Sequence, residues 1–261
     1  MTRIELKDLN MAHIDDLINL CLPPDQQDDP LFIEGSKLKK KWIKQNLKKY
    51  GSIAKLAFFN SKLVGFIQYL PDIDERLIKI TCIFVPEKEY HRRGVGNALL
   101  KALLEEMQYP QHYFNDKPPL ALVAHTFDVP GRFSQKEFFI LGGFQKVYDN
   151  HPFLLYYPIQ KGFVYVPKYT CYIPQKEDEG KVLIFVDISC PFCVRFTKAI
   201  KKLVEEAVPQ APIRIINQYN EPVECEKRGK ISFCIVNGKP IKSFFTERDS
   251  FLKEVKNAFS D

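Results

Sequence analysis

The sequence predicts an α/β protein in two parts. A mixed, mostly antiparallel sheet flanked by helices covers residues 1–160, and a small α/β domain covers 181–261 after a connector at 161–180. Three observations carry this reading. Residues 53–59 and 63–69 are apolar runs on either side of Asn60-Ser61-Lys62, the pattern of an antiparallel hairpin. The β-branched run 77–85 ends at Pro86, and Gly94-Val95-Gly96 then opens a helix with apolar residues at Val95, Ala98, Leu99, Ala102 and Leu103. Past residue 159 the texture changes, and a new strand pattern begins with KVLIFVDI at 181–188.

In order, residues 3–6 read as a first strand and 11–22 as a first helix. Residues 36–50 read as a second helix, with Leu38, Trp42, Ile43, Leu47 and Tyr50 on one stripe. Strands follow at 53–59, 63–69 and 77–85, then the glycine-led helix at 94–108 and a strand at 120–124. A helix at 133–141 runs into Gly142-Gly143-Phe144, and strands at 145–148 and 153–157 complete the first part.

The junction at 91–97 has the chemistry of anion capture. The first turn of a helix carries N–H groups outside the hydrogen-bond ladder and the positive end of the macrodipole. Glycines let a pyrophosphate approach the backbone, and Arg92 and Arg93 add charge. A nucleotide P-loop would need Gly-Lys-Ser/Thr, whereas the sequence has Gly96-Asn97-Ala98. A dinucleotide fingerprint would need a small residue at Leu99 and a parallel βαβ unit in place of the hairpin.

A hairpin, a further strand and then His91-Arg92-Arg93-Gly94-Val95-Gly96 resembles the GCN5-related N-acetyltransferases (GNAT), whose corresponding loop is Arg/Gln-x-x-Gly-x-Gly/Ala. The resemblance implies acetyl-CoA as cofactor. It also implies a pyrophosphate cradle at His91, Arg92, Arg93, Gly94, Val95, Gly96 and Asn97, and pantetheine along Ile83, Phe84 and Val85. Acetyl transfer needs a neutral amine, so a base must take the ammonium proton. His125, just past the strand at 120–124, is the first candidate and Asp128 the second; a loop-capping His125 is the plainer alternative.

Two positions depart from the family pattern. The leading Gln or Arg is His91, and the tyrosine that protonates the leaving thiolate in many members is Phe139, which carries no proton to donate. A CoA-binding sensor without turnover is therefore the competing reading. Acceptor pockets in this fold are built by variable loops, here 23–33 and 127–132. Asp25, Asp28 and Asp29 in the first would attract a cationic amine or else lie in solvent. The acceptor implied is a small-molecule amine or a peptide.

In the second part, 190–207 is a helix by its apolar spacing at Phe196, Ala199, Ile200, Leu203 and Val204, and 213–217 is a short strand. Residues 231–236 and 241–245 form a hairpin around Asn237-Gly238, and 247–259 is a closing helix. This order, with Cys190-Pro191-Phe192-Cys193 opening its first helix, resembles a thioredoxin-like domain. The pairing of the two domains is similar to a family of two-domain proteins called YoaP-like. A thiolate at the helix start is stabilised by the dipole, which makes Cys190 the attacking sulfur and Cys193 the resolver. The cis-proline that thioredoxins set opposite the dithiol is missing from Arg228-Gly229-Lys230. Redox, structural and zinc roles all stay open for the dithiol. Zinc would recruit Cys225 and Cys234, but that second pair lacks knuckle spacing and Cys234 sits inside an apolar strand, so no metal ligands are assigned.

The net charge of +6 is modest for 261 residues, and the basic run 37–49 alternates with an apolar stripe. That composition reads as a solvated helix face and argues against nucleic-acid or membrane partners. No run reaches the length of a membrane span, and no apolar leader precedes the first strand. Seven cysteines, an odd number, without such a leader suit a reducing cytoplasm.

Overall fold

The computed structural model describes residues 4–126, 134–148 and 151–260. By their contacts the residues form two compact units: Met1–Pro23 with Lys40–Val166, and Pro24–Lys39 with Pro167–Asp261.

The strands of the first unit are β1 (Ile4–Asp8), β2 (Ala54–Phe59), β3 (Lys62–Asp72), β4 (Leu77–Phe84), β5 (Ala121–His125), β6 (Gln145–Tyr148) and β7 (His151–Pro158). They form one sheet in the order β1-β2-β3-β4-β5-β7-β6. Every pairing is antiparallel except β4 with β5. The expected hairpin is made by Asn60 and Ser61, both at positive φ (50° and 65°), which matches the twist of the flanking strands. Its helices are α1 (Ile14–Cys21), α3 (Val95–Glu106), α4 (Gln135–Leu141) and the part of α2 (Pro30–Tyr50) from Lys40 onward, the earlier part counting with the second unit.

Val95, Leu99 and Leu103 repeat every four residues on α3 and pack with Ile67, Tyr69, Ile78 and Ile80 of the sheet. Leu56, Phe66 and Gln68, whose side chains alternate with those in their strands, are equally buried, so both faces of the central strands are covered.

Helix α2 begins six residues before the expected start at Ser36. Asp29 accounts for the difference: its carboxylate accepts from the N–H of Leu31 at 2.8 Å, and Pro30 occupies the first helical position, where no N–H is needed.

The second unit contains β8 (Val182–Val186), α5 (Cys193–Ala207), β9 (Ile213–Asn217), α6 (Pro222–Glu226), β10 (Cys234–Val236), β11 (Lys239–Pro240) and α7 (Arg248–Ser260). Its sheet runs β11-β10-β8-β9, with β8 and β9 parallel and the other pairs antiparallel. Ile200 and Val204 of α5 and Phe251 and Val255 of α7 bury one face with Ile184 and Val236. Tyr172 joins Leu183, Phe185, Ile216 and Ile235 in a second cluster.

One expectation fails here. Residues 241–245 form no strand: the backbone N–H groups of Lys242 and Ser243 donate to the Glu254 carboxylate of α7, at 2.8 and 2.7 Å, which takes them out of the ladder. The strand partner of β10 is instead the short β11, right after the Asn237-Gly238 turn (φ 49° and 72°). The polar run 175–180, within the expected connector, belongs by its contacts to the second unit. Asp178 is fully buried, and its carboxylate accepts from Arg228 Nη2 at 2.6 Å, from the Gln175 N–H at 3.0 Å and from the Tyr172 hydroxyl.

Candidate active site

In the first unit the sheet divides. β4 and β5 pair from Leu77↔Ala121 only as far as Ile80↔Ala124. Beyond that, β4 continues against β3 alone, with Cys82↔Gln68, Ile83↔Ile67 and Phe84↔Phe66, while His125 continues against Leu154 of β7. Thr81 is the extra residue at a bulge between the Ile80↔Tyr69 and Cys82↔Gln68 pairs. Its hydroxyl accepts from Gln68 Nε2 at 2.9 Å and donates to the Gln68 carbonyl at 3.3 Å. A bulge increases local twist and turns a strand away from its neighbour. No described strand pairs with the β5-facing edge of 81–84, so Ile83, Phe84 and Val85 lead along an open main-chain edge towards the glycine turn.

At the end of β4 the His91 ring reaches back, with Nε2 2.8 Å from the Val85 carbonyl. A carbonyl only accepts, so this contact fixes Nε2 as the protonated nitrogen. Tyr90 is buried against Phe59 at 5.5 Å, and Glu87 pairs with Lys62 at 2.7 Å, which holds its carboxyl below the usual range. Glu87 is thus engaged in an ion pair, and Glu89 is exposed.

Arg92 and Gly94 both take positive φ (58° and 82°). Gly94 is the N-cap of α3 and makes no side-chain cap. The first ladder bond is Ala98 N–H to the Gly94 carbonyl, 2.9 Å, so the N–H groups of Val95, Gly96 and Asn97 find no acceptor within the helix. Arg92, Arg93, Gly94 and Asn97 are exposed, whereas Val95 is buried beneath them. Arg93 also lies 5.8 Å over the Phe59 ring. A β-carbon on Gly94 would meet nothing within 4 Å, so the turn is open to a ligand. This end of α3 can accept an anion through main-chain donors, dipole and guanidinium charge together.

Gly65, which sequence reasoning passed over, sets how closely the turn approaches the sheet. A β-carbon there would fall 2.9 Å from Val85 Cγ2 and 3.2 Å from Val95 Cγ1. The available signal was a glycine inside an apolar strand.

His125 is exposed at the end of β5, and with Thr81 it is the first residue past the division. Asp128 and the loop 127–132 lie outside the described residues. Phe139 belongs to the core: it is 2% exposed and meets Phe144 edge-on at 4.9 Å. Its neighbour Phe138 packs over Gly96, 3.2 Å from where a β-carbon would stand.

In the second unit Cys193 is the first residue of α5 and buried, and Cys190 is half-buried before it. The Cys193 N–H donates to the Cys190 carbonyl at 3.1 Å. Burial, with Cys190 adding to it, pushes the Cys193 thiol up to about 12. Burial likewise raises Cys225 on α6 to about 11 and Cys234 on β10 to about 12. Among the described residues no three His, Cys, Asp or Glu side chains converge to hold a metal. Of the acidic loop, Asp29 is committed to capping α2 and to Arg195 at 3.0 Å, and by its contacts it belongs to the second unit.

No helix among the described residues is long and apolar enough to cross a membrane. No curated protein matches the chain. Similar solved structures include an acetyltransferase of the GNAT family from Staphylococcus aureus Mu50, at 19% identity over 60% of this chain and 100% of that one, TM-score 0.45. PaiA N-acetyltransferase from Thermoplasma acidophilum, in complex with coenzyme A, is 16% identical over 60% and 99%, TM-score 0.43. A GNAT family acetyltransferase from Brucella melitensis, in complex with acetyl-CoA, is 11% identical over 62% and 92%, TM-score 0.40. Residues 12–111 match the acetyltransferase (GNAT) family, and residues 169–261 match the family described as thioredoxin. The chain carries a GNAT acetyltransferase domain in its amino-terminal part and a thioredoxin-like domain in its carboxyl-terminal part.

Proposed function

We propose that the first unit transfers an acetyl group from acetyl-CoA to a primary amine, on a small molecule or a peptide. The observation that carries this is the exposed amino end of α3, with Gly94 at positive φ and Arg92 and Arg93 beside it, next to the open edge of β4. The N–H groups of Val95, Gly96 and Asn97 would hold the pyrophosphate, with guanidinium support from Arg92 or Arg93. The bare Cα of Gly94 fits such a ligand, since nothing stands where a side chain would be. The main chain of Ile83, Phe84 and Val85 would bond pantetheine as an added strand does, and His91 holds the Val85 end of that edge in position. When bound, acetyl-CoA supplies the thioester carbonyl that the amine attacks.

His125 is the base we assign, because it stands at the division with its side chain exposed; Asp128 is the alternative. Phe139 gives no proton to the leaving thiolate, so that proton comes from solvent. Seven cysteines, an odd number, favour a reducing cytoplasm as the working compartment.

The test is release of free CoA from acetyl-CoA across a panel of amines and peptides. Turnover that is lost in His125→Ala with CoA affinity retained supports the proposal. No heat on titrating CoA overturns it. Tight CoA binding with no turnover on any acceptor favours the second reading, an acyl-CoA sensor, which the buried Phe139 keeps in play.

A further inference from the structure

The Cys190-Pro191-Phe192-Cys193 loop is covered by a segment from elsewhere in the chain. Pro24–Lys39 belongs to the second unit by its contacts. Gly35 of α2 lies against the loop so closely that a β-carbon there would stand 1.9 Å from the Pro191 carbonyl oxygen. Phe32, fully buried three residues earlier on the same helix face, meets Phe192 edge-on at 4.8 Å. Arg195, two residues into α5, clamps the segment. Its guanidinium lies 5.3 Å over the Phe32 ring, bonds Asp29 Oδ2 at 3.0 Å and donates to Gln26 Oε1 at 3.3 Å. Lys198 adds an ion pair to Glu34 at 3.9 Å. Pro191 is buried as a result, while Cys190 stays partly accessible.

We propose that residues 24–39 are a built-in cap on the dithiol, which leaves Cys190 open to low-molecular-weight disulfides and shuts out disulfides carried by proteins. The inference rests on the thioredoxin-like reading of the second unit and is independent of acetyl transfer. A protein disulfide must lay its flanking chain across the attacking loop, and Gly35 and Phe32 already lie there. A small disulfide needs only an in-line approach to one sulfur.

The chemistry balances with the small disulfide RSSR as oxidant. The Cys190 thiolate attacks one sulfur, an S–S bond breaks, and RS⁻ leaves with the proton Cys190 gave up. The Cys193 sulfur, its own proton passing to the second leaving group, then attacks Cys190 Sγ and expels that RS⁻. The dithiol is oxidised by two electrons to a disulfide, and RSSR is reduced to two RSH. Cys193, kept protonated by burial, does not compete as the first nucleophile.

The experiment is a single turnover of the pre-reduced full chain with excess bis(2-hydroxyethyl) disulfide or with insulin, read as loss of two hydrogens by intact mass. Cys190→Ser is the blank. We expect oxidation by the small disulfide to be at least about tenfold faster than by insulin, because insulin must wait for the cap to open. Gly35→Ala, which cannot keep the loop contact, and Arg195→Ala, which removes only the exposed clamp, should each speed the insulin reaction several-fold and leave the small-disulfide rate unchanged. Equal wild-type rates with both oxidants overturn the proposal. So does an insulin rate that neither variant raises. No reaction with the small disulfide overturns the dithiol reading itself, whatever acetyl transfer does.

Discussion

Asp178 and Arg228, fifty positions apart, meet as an ion pair with both side chains 0% exposed and Nη2 2.6 Å from Oδ1. The charges are completed by their surroundings. Arg228 also donates to the Glu224 carbonyl and carboxylate and to Glu177, and Asp178 accepts from Tyr172 and the Gln175 N–H. The pair ties the stretch before β8 to the stretch before β10, which makes residues 172–178 part of the second unit's core.

Removing one partner strands the other charge in the interior. Asp178→Ala should destabilise the second unit by about 3–5 kcal/mol, far more than a surface carboxylate would. Urea unfolding of the full chain, followed at the second unit, measures it. Replacing both partners with apolar residues, Asp178→Leu with Arg228→Met, should cost less than the single change.

Acid should unfold the same region. The hydrogen bond from Lys227, with Arg228 and Arg214 adding, lowers the Glu224 carboxyl to about 2. Burial alone would raise Asp178, but its bonds from Arg228 and Tyr172 outweigh that and lower it. Carboxyls lowered by folding stabilise the folded state above their unfolded pKa and lose that contribution as pH falls through the folded value. Tm should therefore be level near neutrality and drop between the ordinary carboxyl range and about pH 2.

The thiols give the opposite limb. Cys193 and Cys234 are both raised to about 12 by burial, so the unfolded chain ionises first and stability falls as pH climbs from the usual thiol range towards that value. At neutral pH iodoacetamide should label Cys190 well before Cys193, and Cys193 only on unfolding. Peptide mass mapping of a labelling time course decides this.

Restoring a tyrosine at 139 should not restore an acid. The ring is 2% exposed among Phe138 and Phe144, so Phe139→Tyr buries a hydroxyl. The cost is about 1–3 kcal/mol if that hydroxyl finds no partner. Lower Tm with no gain in kcat is the expected pair of results.

At the α3 turn, Gly94→Val forces a β-branched residue to φ 82° and puts atoms where the anion would sit. CoA affinity should fall at least about tenfold, or 1.4 kcal/mol. The fold should lose about 1–3 kcal/mol from backbone strain. Calorimetric titration with CoA, paired with a urea melt, separates the two.

Much of this was legible because local signals agree with the fold. The Asn60-Ser61 and Asn237-Gly238 turns, the four-residue repeat of α3 and the run 182–186 each declare themselves within a few residues. Long-range choices do not. Nothing near Lys242 and Ser243 announces that Glu254 will take their N–H groups, and a run of charges at 175–180 gives no hint that Asp178 is buried against Arg228. The bulge at Thr81 is set by pairing with Gln68, and the helix start at Pro30 by a single aspartate whose capping role is plain only once its neighbour Leu31 is helical.

Helix α2 carries one more implication. Its residues to Lys39 count with the carboxyl-terminal body and those from Lys40 with the amino-terminal one. Gene surgery at any one site between residues 111 and 169 would therefore misallocate sixteen residues: a trimmed thioredoxin-like piece would lose the lining of its own cysteine loop. Whoever wants that piece alone must graft 24–39 back onto it through a new linker.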